Sequence, residues 1–589
     1  MEYHVSVTGA DTNDGSAGAP LETISAAAQQ AQPGDVITVH EGTYRERIDP
    51  PRGGNSEDER IVYRAPEDET VVVKGSEVVT GWSKSDDGYW KLTLSNSFFG
   101  DLNPFDDIIR GDWFADHGQE YHRGDVYVDG ASLRETESLQ DLVAADEGQR
   151  VWYADVDESV TTIMARFGGI DPREATVEVN VRPVVFYPSE PGRDYITVRG
   201  FTMRHAATQW APPTTEQIGL LGTHWSKGWT IEDNVVSHSR CTGITLGKYG
   251  AGVDDTGASA DRYNTTIREA LENGWERGSV GEHVVHNNTV FRCEQAGIVG
   301  SMGGAFSEIS SNYIYDINVE GQLDGAEIAG LKLHGPIDTE IRNNRIHHAR
   351  RGMWMDWMTQ GTRITGNLLY DNDIDDLFFE VNHGPFVVDN NISLSEVAVT
   401  NASQGGAYVH NLFGGEFNQV QVLDRTTPYH DPHSTEIRGM SNITGGDDRV
   451  YNNVFTRKSD IAYEDVEYPV HSGGNVYLKT ASEEADDPFD TSDPDPPIEL
   501  REEDGQVAVI LSERMIDDQP RSLVTTDLLG TATVPDLPYE NPDGTSLVIE
   551  TDYFGDDRHS KNPVAGPFAR DRVVQDDLSL PFELDVWPA

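Results

Sequence analysis

Residues 341–392 read IRNNRIHHARRGMWMDWMTQGTRITGNLLYDNDIDDLFFEVNHGPFVVDNNI. An apolar-x-x-Asn-x-apolar segment opens this stretch (IRNNRI), returns as ITGNLL and closes it as VDNNI. Upstream the same form appears as IEDNVV, VHNNTV and ISSNYI, and downstream as VYNNVF. With the Asn as marker, the copies fall at 234, 288, 312, 344, 367 and 390, with a weaker copy at Asn411. From 288 onward the steps are 24, 32, 23, 23 and 21 residues. A near-constant period means a solenoid, in which each coil covers the open end of the one before. Coils of this length with short strands fit a right-handed parallel β-helix better than a leucine-rich or helical repeat. Stacked Asn side chains at one corner can bond to each other and cap turn carbonyls. The 32-residue step places an extra loop near VEGQLDG, 319–325.

The rest of the chain arranges itself around this core. Residues 1–80 read as the N-terminal coils, with LETISAAAQQA as an amphipathic helix over the first coil and PGDVITVHEGTY as a turn–strand–turn unit. Between about 81 and 180 the Asn period disappears. YWKLTL, GDVYVDGASL, VWYADV, TTIMARF and TVEVNV alternate like antiparallel strands, which predicts a small inserted antiparallel β-sandwich. YITVRGFTM resumes the solenoid, so 181–480 is the main β-helix. The Asp/Pro-rich run EEADDPFDTSDPDPP opens a C-terminal region, 481–589, whose VAVIL and SLVIE strands are expected to cap the last coils.

Charge narrows the function. The chain has 101 acidic and 44 basic residues, a formal net charge of −57, and only nine lysines. A field of that sign repels nucleic acid and anionic membranes, so neither is expected as a partner. Acid spread along the whole chain also points to adaptation to high salt, where screening removes self-repulsion. No run of 18 apolar residues occurs, and MEYHVSVTGAD lacks the basic and apolar regions of a leader, so a cytoplasmic enzyme is expected. Cys241 and Cys293 are read as small buried hydrophobes. No metal-ligand spacing and no phosphate loop stands out, so no cofactor and no metal is expected.

The repeat also serves as a ruler. Glu327 lies 15 residues after Asn312, Asp356 lies 12 after Asn344, and Glu380 lies 13 after Asn367. Allowing for loops, this puts all three acids on the same strand of consecutive coils. In MWMDW and LFFEV the parity sends Asp356 and Glu380 outward, with Trp354 and Phe378 on the same outer face, where Trp354 is expected to bind substrate by stacking on a sugar. Coils stack about 4.8 Å apart, which suits the roughly 5–5.5 Å carboxyl spacing of a retaining glycosidase. Stacked acids also repel, which raises one pKa and makes a proton donor. A solvated acidic ladder and a calcium site built from the same acids are the alternatives. The period does not say which acid attacks.

Five long strings, WAPPTTEQIGLLGTHWSKGW, GAEIAGLKLHG, MWMDWMTQGTR, FFEVNHGP and TTPYHDPHSTEI, resemble glycoside hydrolase family 120, the β-xylosidases. The resemblance runs from MEYHV to DGTSLVIETDY. It implies a β-helix interrupted by an immunoglobulin-like domain, a retaining mechanism, Asp356 as nucleophile and Glu380 as general acid/base. It further implies that Glu327 binds substrate, that Trp113 reaches over the pocket (a local core Trp is the alternative), and that the enzyme is a homo-oligomer. His334 and His383, at strand ends near the ladder, are candidates for sugar hydroxyls, with a structural histidine as the default. The expectation is therefore an exo-acting β-xylosidase of xylo-oligosaccharides. A polysaccharide lyase is disfavoured because Lys332 is the one lysine near the acids, and a non-catalytic carbohydrate-binding solenoid would not need opposed carboxylates.

Overall fold

The computed structural model describes all residues except 253, 423, 458, 460–465, 479–497, 504, 512–519, 559–561, 574–581 and 588–589. The Asp/Pro-rich run expected as a linker lies outside the described residues. The chain divides into two compact units, one of residues 1–258, 287–303 and 316–328, the other of 259–286, 304–315 and 329–589. Each is a stretch of parallel β-helix. Among the described residues no helix is long and apolar enough to cross a membrane.

In the first unit, Glu2–Val5, Val36–Val39, Ile61–Arg64, Ile196–Arg199 and Thr230–Glu232 stack as one parallel ladder. Gly42–Tyr44, Val71–Lys74, Thr202–Ala206, Val235–Ser239 and Thr289–Cys293 form a second. The helix Ile24–Gln30 is capped by the Thr23 side chain on Ala26 N and buries Ile24, Ala27 and Ala28. The inserted domain begins at Ser76 and has two sheets. Ser76–Val78, Val126–Val128, Ala131–Ser132 and Val177–Asn180 make one. Trp90–Ser95, Arg150–Val156 and Val160–Phe167 are central to the other. Trp82, Phe105, Trp152, Ile163, Phe167 and Val179 fill the space between them. The sandwich is seated on its coils by Glu178, which pairs with Arg45 at 2.6 Å and Lys74 at 2.7 Å, and by Tyr127 stacked on His205 at 3.7 Å. Cys241 and Cys293 are free and buried, and burial pushes both thiols up to about 12.

In the second unit the Asn marker becomes a physical ladder. Asn312, Asn344, Asn367, Asn391, Asn411, Asn453 and Asn475 form successive rungs. Each rung from Asn344 onward accepts at Oδ1 from the side chain and backbone N of the rung before it (2.9 Å from Asn312 N, 3.0 Å from Asn312 Nδ2 onto Asn344). Each also donates to a backbone carbonyl, as Asn344 does to Ile309 O at 2.9 Å. The residue before each rung takes a left-handed φ: Ser311 55°, Asn343 54°, Gly366 66°, Asn390 57°, His410 55°, Asn452 58° and Gly474 69°. Asn tolerates that region, which explains the Asn-Asn doublets. It also corrects one marker: Asn390 is the left-handed turn residue and Asn391 is the rung.

The ladder holds the coil corners while apolar rows fill the interior. Ile309, Ile341, Ile364, Val388, Tyr408 and Val450 are successive register partners, all buried. Each such side chain contributes about 1.5–3 kcal/mol by leaving water. The C-terminal region does not simply cap the last coil. Gln506–Leu511, which contains VAVIL, joins Ile498–Glu503 and Phe582–Trp587 in an antiparallel sheet, and packs on Leu368, Ile392, Leu412 and Val454. SLVIE is extended with two isolated bridges, Thr525 to Val548 and Glu540 to Ser546, and buries Leu547 and Ile549 against Val387, Ala407 and Val409. Both segments lie along the sides of several coils.

Candidate active site

Four strands of the second unit build the site: Ala329–His334, Arg351–Asp356, Asp375–Glu380 and Val397–Ala402, all parallel. Strand alternation divides their residues into rows. Leu331, Met353, Leu377 and Val399 form one inward row, and Leu333, Met355, Phe379 and Asn401 the next. The outward rows are Lys332–Trp354–Phe378–Thr400 and His334–Asp356–Glu380–Ala402. Asp356 and Glu380 are therefore direct register partners on neighbouring strands, as the period and parity require.

The third rung is different from expectation. The partner of Asp356 on the preceding strand is His334, not Glu327. Glu327 precedes that strand, in the turn between Asp324–Gly325 and Ala329–His334, because the extra loop of that coil shifts the count. The expected three-acid ladder is thus His–Asp–Glu, and a cation cage of three stacked acids lacks its third acid.

Each strand ends in a tight turn just past its carboxylate. Trp357 takes φ 37° and Val381 φ 52°. For a β-branched residue that conformation is costly, and such strain persists only where the surroundings over-determine it. Here Asn382 supplies the constraint. It is buried, donates from Nδ2 to Met355 O at 3.0 Å and Ser403 Oγ at 3.1 Å, and accepts from Thr359 N at 2.8 Å. The turns that aim Asp356 and Glu380 are locked to each other.

The electrostatics set the two acids apart. Asp356 is only 4% exposed, so it is no solvated ladder member. Its Oδ2 receives Lys332 Nζ at 3.2 Å and His334 Nε2 at 3.0 Å. Burial alone would raise its carboxyl, but His334, Lys332 and Arg425 outweigh burial and hold it at about 2. Burial pushes His334 itself down, so at neutral pH it acts as a hydrogen-bond donor and Lys332 is the charge. Glu380 moves the other way. Burial first and the Asp356 charge second raise it, against Lys332 and Arg425. An ionised carboxylate thus stands beside a carboxyl that keeps its proton to higher pH. Oδ1 of Asp356, Nδ1 of His334 and Nε1 of Trp354 are buried with no hydrogen-bond partner among the described residues.

Sequence reasoning set Lys332 aside and overlooked Arg425. Lys332 is completely buried and lies 3.0 Å over the Trp354 ring, so it is tied up as a counter-ion. Arg425 precedes a hairpin outside the repeat and bonds Glu380 Oε1. Parity offered a clue to Lys332, two residues before His334 on the same face. Nothing in the period pointed to Arg425.

The remaining candidates divide. Trp354 belongs to the site, but Lys332 covers its ring and Phe378 lies 5.0 Å from it, with Arg351 at 5.1 Å, so it positions Lys332 rather than offering an open sugar platform. His383 is structural. Its Nδ1 accepts from Gln404 at 2.9 Å and its Nε2 meets Thr427 Oγ1 at 2.9 Å, leaving neither for a sugar. Glu327 and Trp113 belong to the first unit, where Ala326 N donates to Trp113 O at 3.0 Å and brings their segments together. Their roles toward substrate rest on the resemblance. Among the described residues no group of three or more His, Cys, Asp or Glu is arranged to hold a metal ion.

Comparison with known proteins adds four matches. The model of the glycoside hydrolase 120 insertion domain matches residues 79–179, and a family described only as a protein of unknown function, DUF1565, matches 7–50. The solved structure of XylC in complex with xylose is similar over 100% of both chains, with 39% identity and a TM-score of 0.91. The uncharacterized protein YwoF of Bacillus subtilis is 35% identical over 75 residues, a match spanning 13% of this chain and 16% of that relative.

Proposed function

Since the chain belongs to glycoside hydrolase family 120, we propose that it is a retaining, exo-acting β-xylosidase that releases xylose from xylo-oligosaccharides. The single observation that carries this reading is the pairing of an ionised Asp356 with a proton-holding Glu380, one strand apart. Neighbouring strands lie about 4.8 Å apart, which suits the roughly 5–5.5 Å carboxyl spacing of a retaining enzyme better than the wider spacing that seats a water. The xylose bound by XylC supports a pentose in the site.

In the first step Asp356 Oδ1, the oxygen without a partner, attacks the anomeric carbon. The bond from that carbon to the leaving oxygen breaks, and Glu380 gives its proton to that oxygen. In the second step Glu380 takes a proton from water as the water oxygen attacks the same carbon. The ester bond breaks and its electron pair returns to Asp356. Lys332 and His334 bind the Oδ2 that stays outside the ester, which keeps the carboxylate oriented through both steps.

Xylobiose hydrolysis followed by proton NMR tests this. β-Xylose should appear first and mutarotate later. Initial α-xylose would mean inversion and would remove Asp356 from the nucleophile's role. An unsaturated product would mean a lyase, and binding without turnover a non-catalytic solenoid.

A further inference from the structure

Glu380 has a partner that the two-carboxylate scheme does not use. Arg425 bonds Glu380 Oε1, and its side chain is 32% exposed while that of Glu380 is 14% exposed. The guanidinium therefore stands on the solvent side of the carboxylate. Its backbone is fixed by the hairpin that begins at the next residue. Thr426–His430 pairs antiparallel with Ile437–Asn442, and this hairpin is pinned at several points. Thr427 Oγ1 donates to Val381 O at 2.9 Å, directly after Glu380. Gln360 exchanges hydrogen bonds with the His430 backbone at 3.0 and 3.1 Å, and His433 Nδ1 meets Asp338 at 3.0 Å. A guanidinium–carboxyl contact held by an anchored hairpin is a built feature.

We propose that Arg425 is a positioning residue for the second half of the reaction: its guanidinium holds Glu380 as the ionised base that activates water once Asp356 is esterified. The inference rests on the acid/base role given to Glu380 above. The charged and titratable groups facing Glu380 are Asp356 and His334 on its own sheet, Lys332 beside them, and Arg425 with its neighbour Asp424. In the free enzyme burial and the Asp356 charge together keep the proton on Glu380, as the first step requires. Ester formation removes that charge, while Lys332 and Arg425 remain. Both then favour the carboxylate, and only Arg425 touches it. The water proton goes to Glu380, the ester bond breaks, and the restored Asp356 charge retains that proton for the next cycle.

The test uses the full-length enzyme with Arg425→Met and Arg425→Lys. The alkaline limb of kcat/KM on xylobiose reports Glu380 in the free enzyme. The acid limb of kcat on an aryl β-xyloside with a good leaving group reports Glu380 in the glycosyl-enzyme. In Arg425→Met both limbs should move up by about half to one pH unit, and kcat on the aryl substrate should fall roughly 3- to 10-fold at the low-pH side, as such a shift implies. Arg425→Lys should restore most of both. Limbs at the wild-type pH in a folded Arg425→Met variant would overturn the proposal while leaving Glu380 in its role. Glu380→Gln separates the two readings. If the alkaline limb survives in it, the limb is not that of Glu380, and the acid/base assignment and this proposal fall together.

Discussion

Asp356 and Glu380 occupy the same register position on adjacent parallel strands, yet their environments drive their carboxyls in opposite directions. Lys332 and His334 converge on one oxygen of Asp356, while Glu380 meets Arg425 at its rim. Position gives the pair its spacing, and the neighbours give each member its protonation state.

Glu380→Ala should therefore damage substrates unequally. Hydrolysis of xylobiose, whose leaving group needs a proton, should fall by about 10²–10⁴. Turnover of an activated aryl xyloside should fall far less in its first step, and added azide should restore its second step and yield a β-xylosyl azide. Equal losses on both substrates without azide rescue would make Glu380 a structural residue.

Lys332→Met should cost about 3–5 kcal/mol of stability at neutral pH, because it leaves Asp356 charged, buried and without its cation. The sign with pH comes from the depressed Asp356 carboxyl. Its contribution is present above the ordinary carboxylate range and is lost as pH falls toward about 2. Denaturant unfolding of wild type and variant should thus differ most at pH 7 and converge only as pH falls to about 2. The acid limb of kcat/KM should also move up in the variant. A constant stability gap across that range would show that Lys332 acts through packing on Trp354 alone.

The Asn ladder makes adjacent residues behave oppositely. Asn344→Ala removes a rung and strands buried backbone partners, at a cost of about 1–3 kcal/mol. Asn343→Gly replaces a residue at φ 54° with the one that adopts it most freely, so stability should change by less than about 0.5 kcal/mol. Melting curves of the two variants check this, and equal losses would remove the ladder from the account.

How far the sequence could be read depends on the same period and turns. The parity of MWMDW and LFFEV placed Asp356 and Glu380 correctly, because both belong to regular coils whose loops keep the count. The count failed at Glu327, where the loop at 319–325 lengthens the coil and brings His334 into register. It slipped by one residue at Asn390, since both members of an Asn-Asn doublet satisfy the same pattern and only backbone conformation tells rung from turn. Arg425 was illegible for a stronger reason. It reaches Glu380 from a hairpin that no repeat specifies, and such long-range contacts leave no local trace. The SLVIE segment alternates like a strand but pairs with almost nothing, being held by the burial of Leu547 and Ile549.

The net charge of −57 predicts a salt response. At 0.15 M the Debye length is about 8 Å and neighbouring surface acids repel, whereas at 1 M it is about 3 Å. Tm and activity should both rise as sodium chloride is raised to about 2 M. A flat or falling Tm would mean that the charge serves solubility.

The central claim is that Asp356 forms a covalent bond to the sugar. Incubation with an activated 2-deoxy-2-fluoro-β-xyloside should trap that ester, since fluorine slows its hydrolysis more than its formation. Proteolysis and mass spectrometry should then find the fluoroxylosyl mass on the peptide containing MWMDW, with fragmentation assigning it to Asp356 and activity lost in step with labelling. A label on Glu380 or Glu327, or complete turnover with no label while α-xylose appears first, would contradict the account.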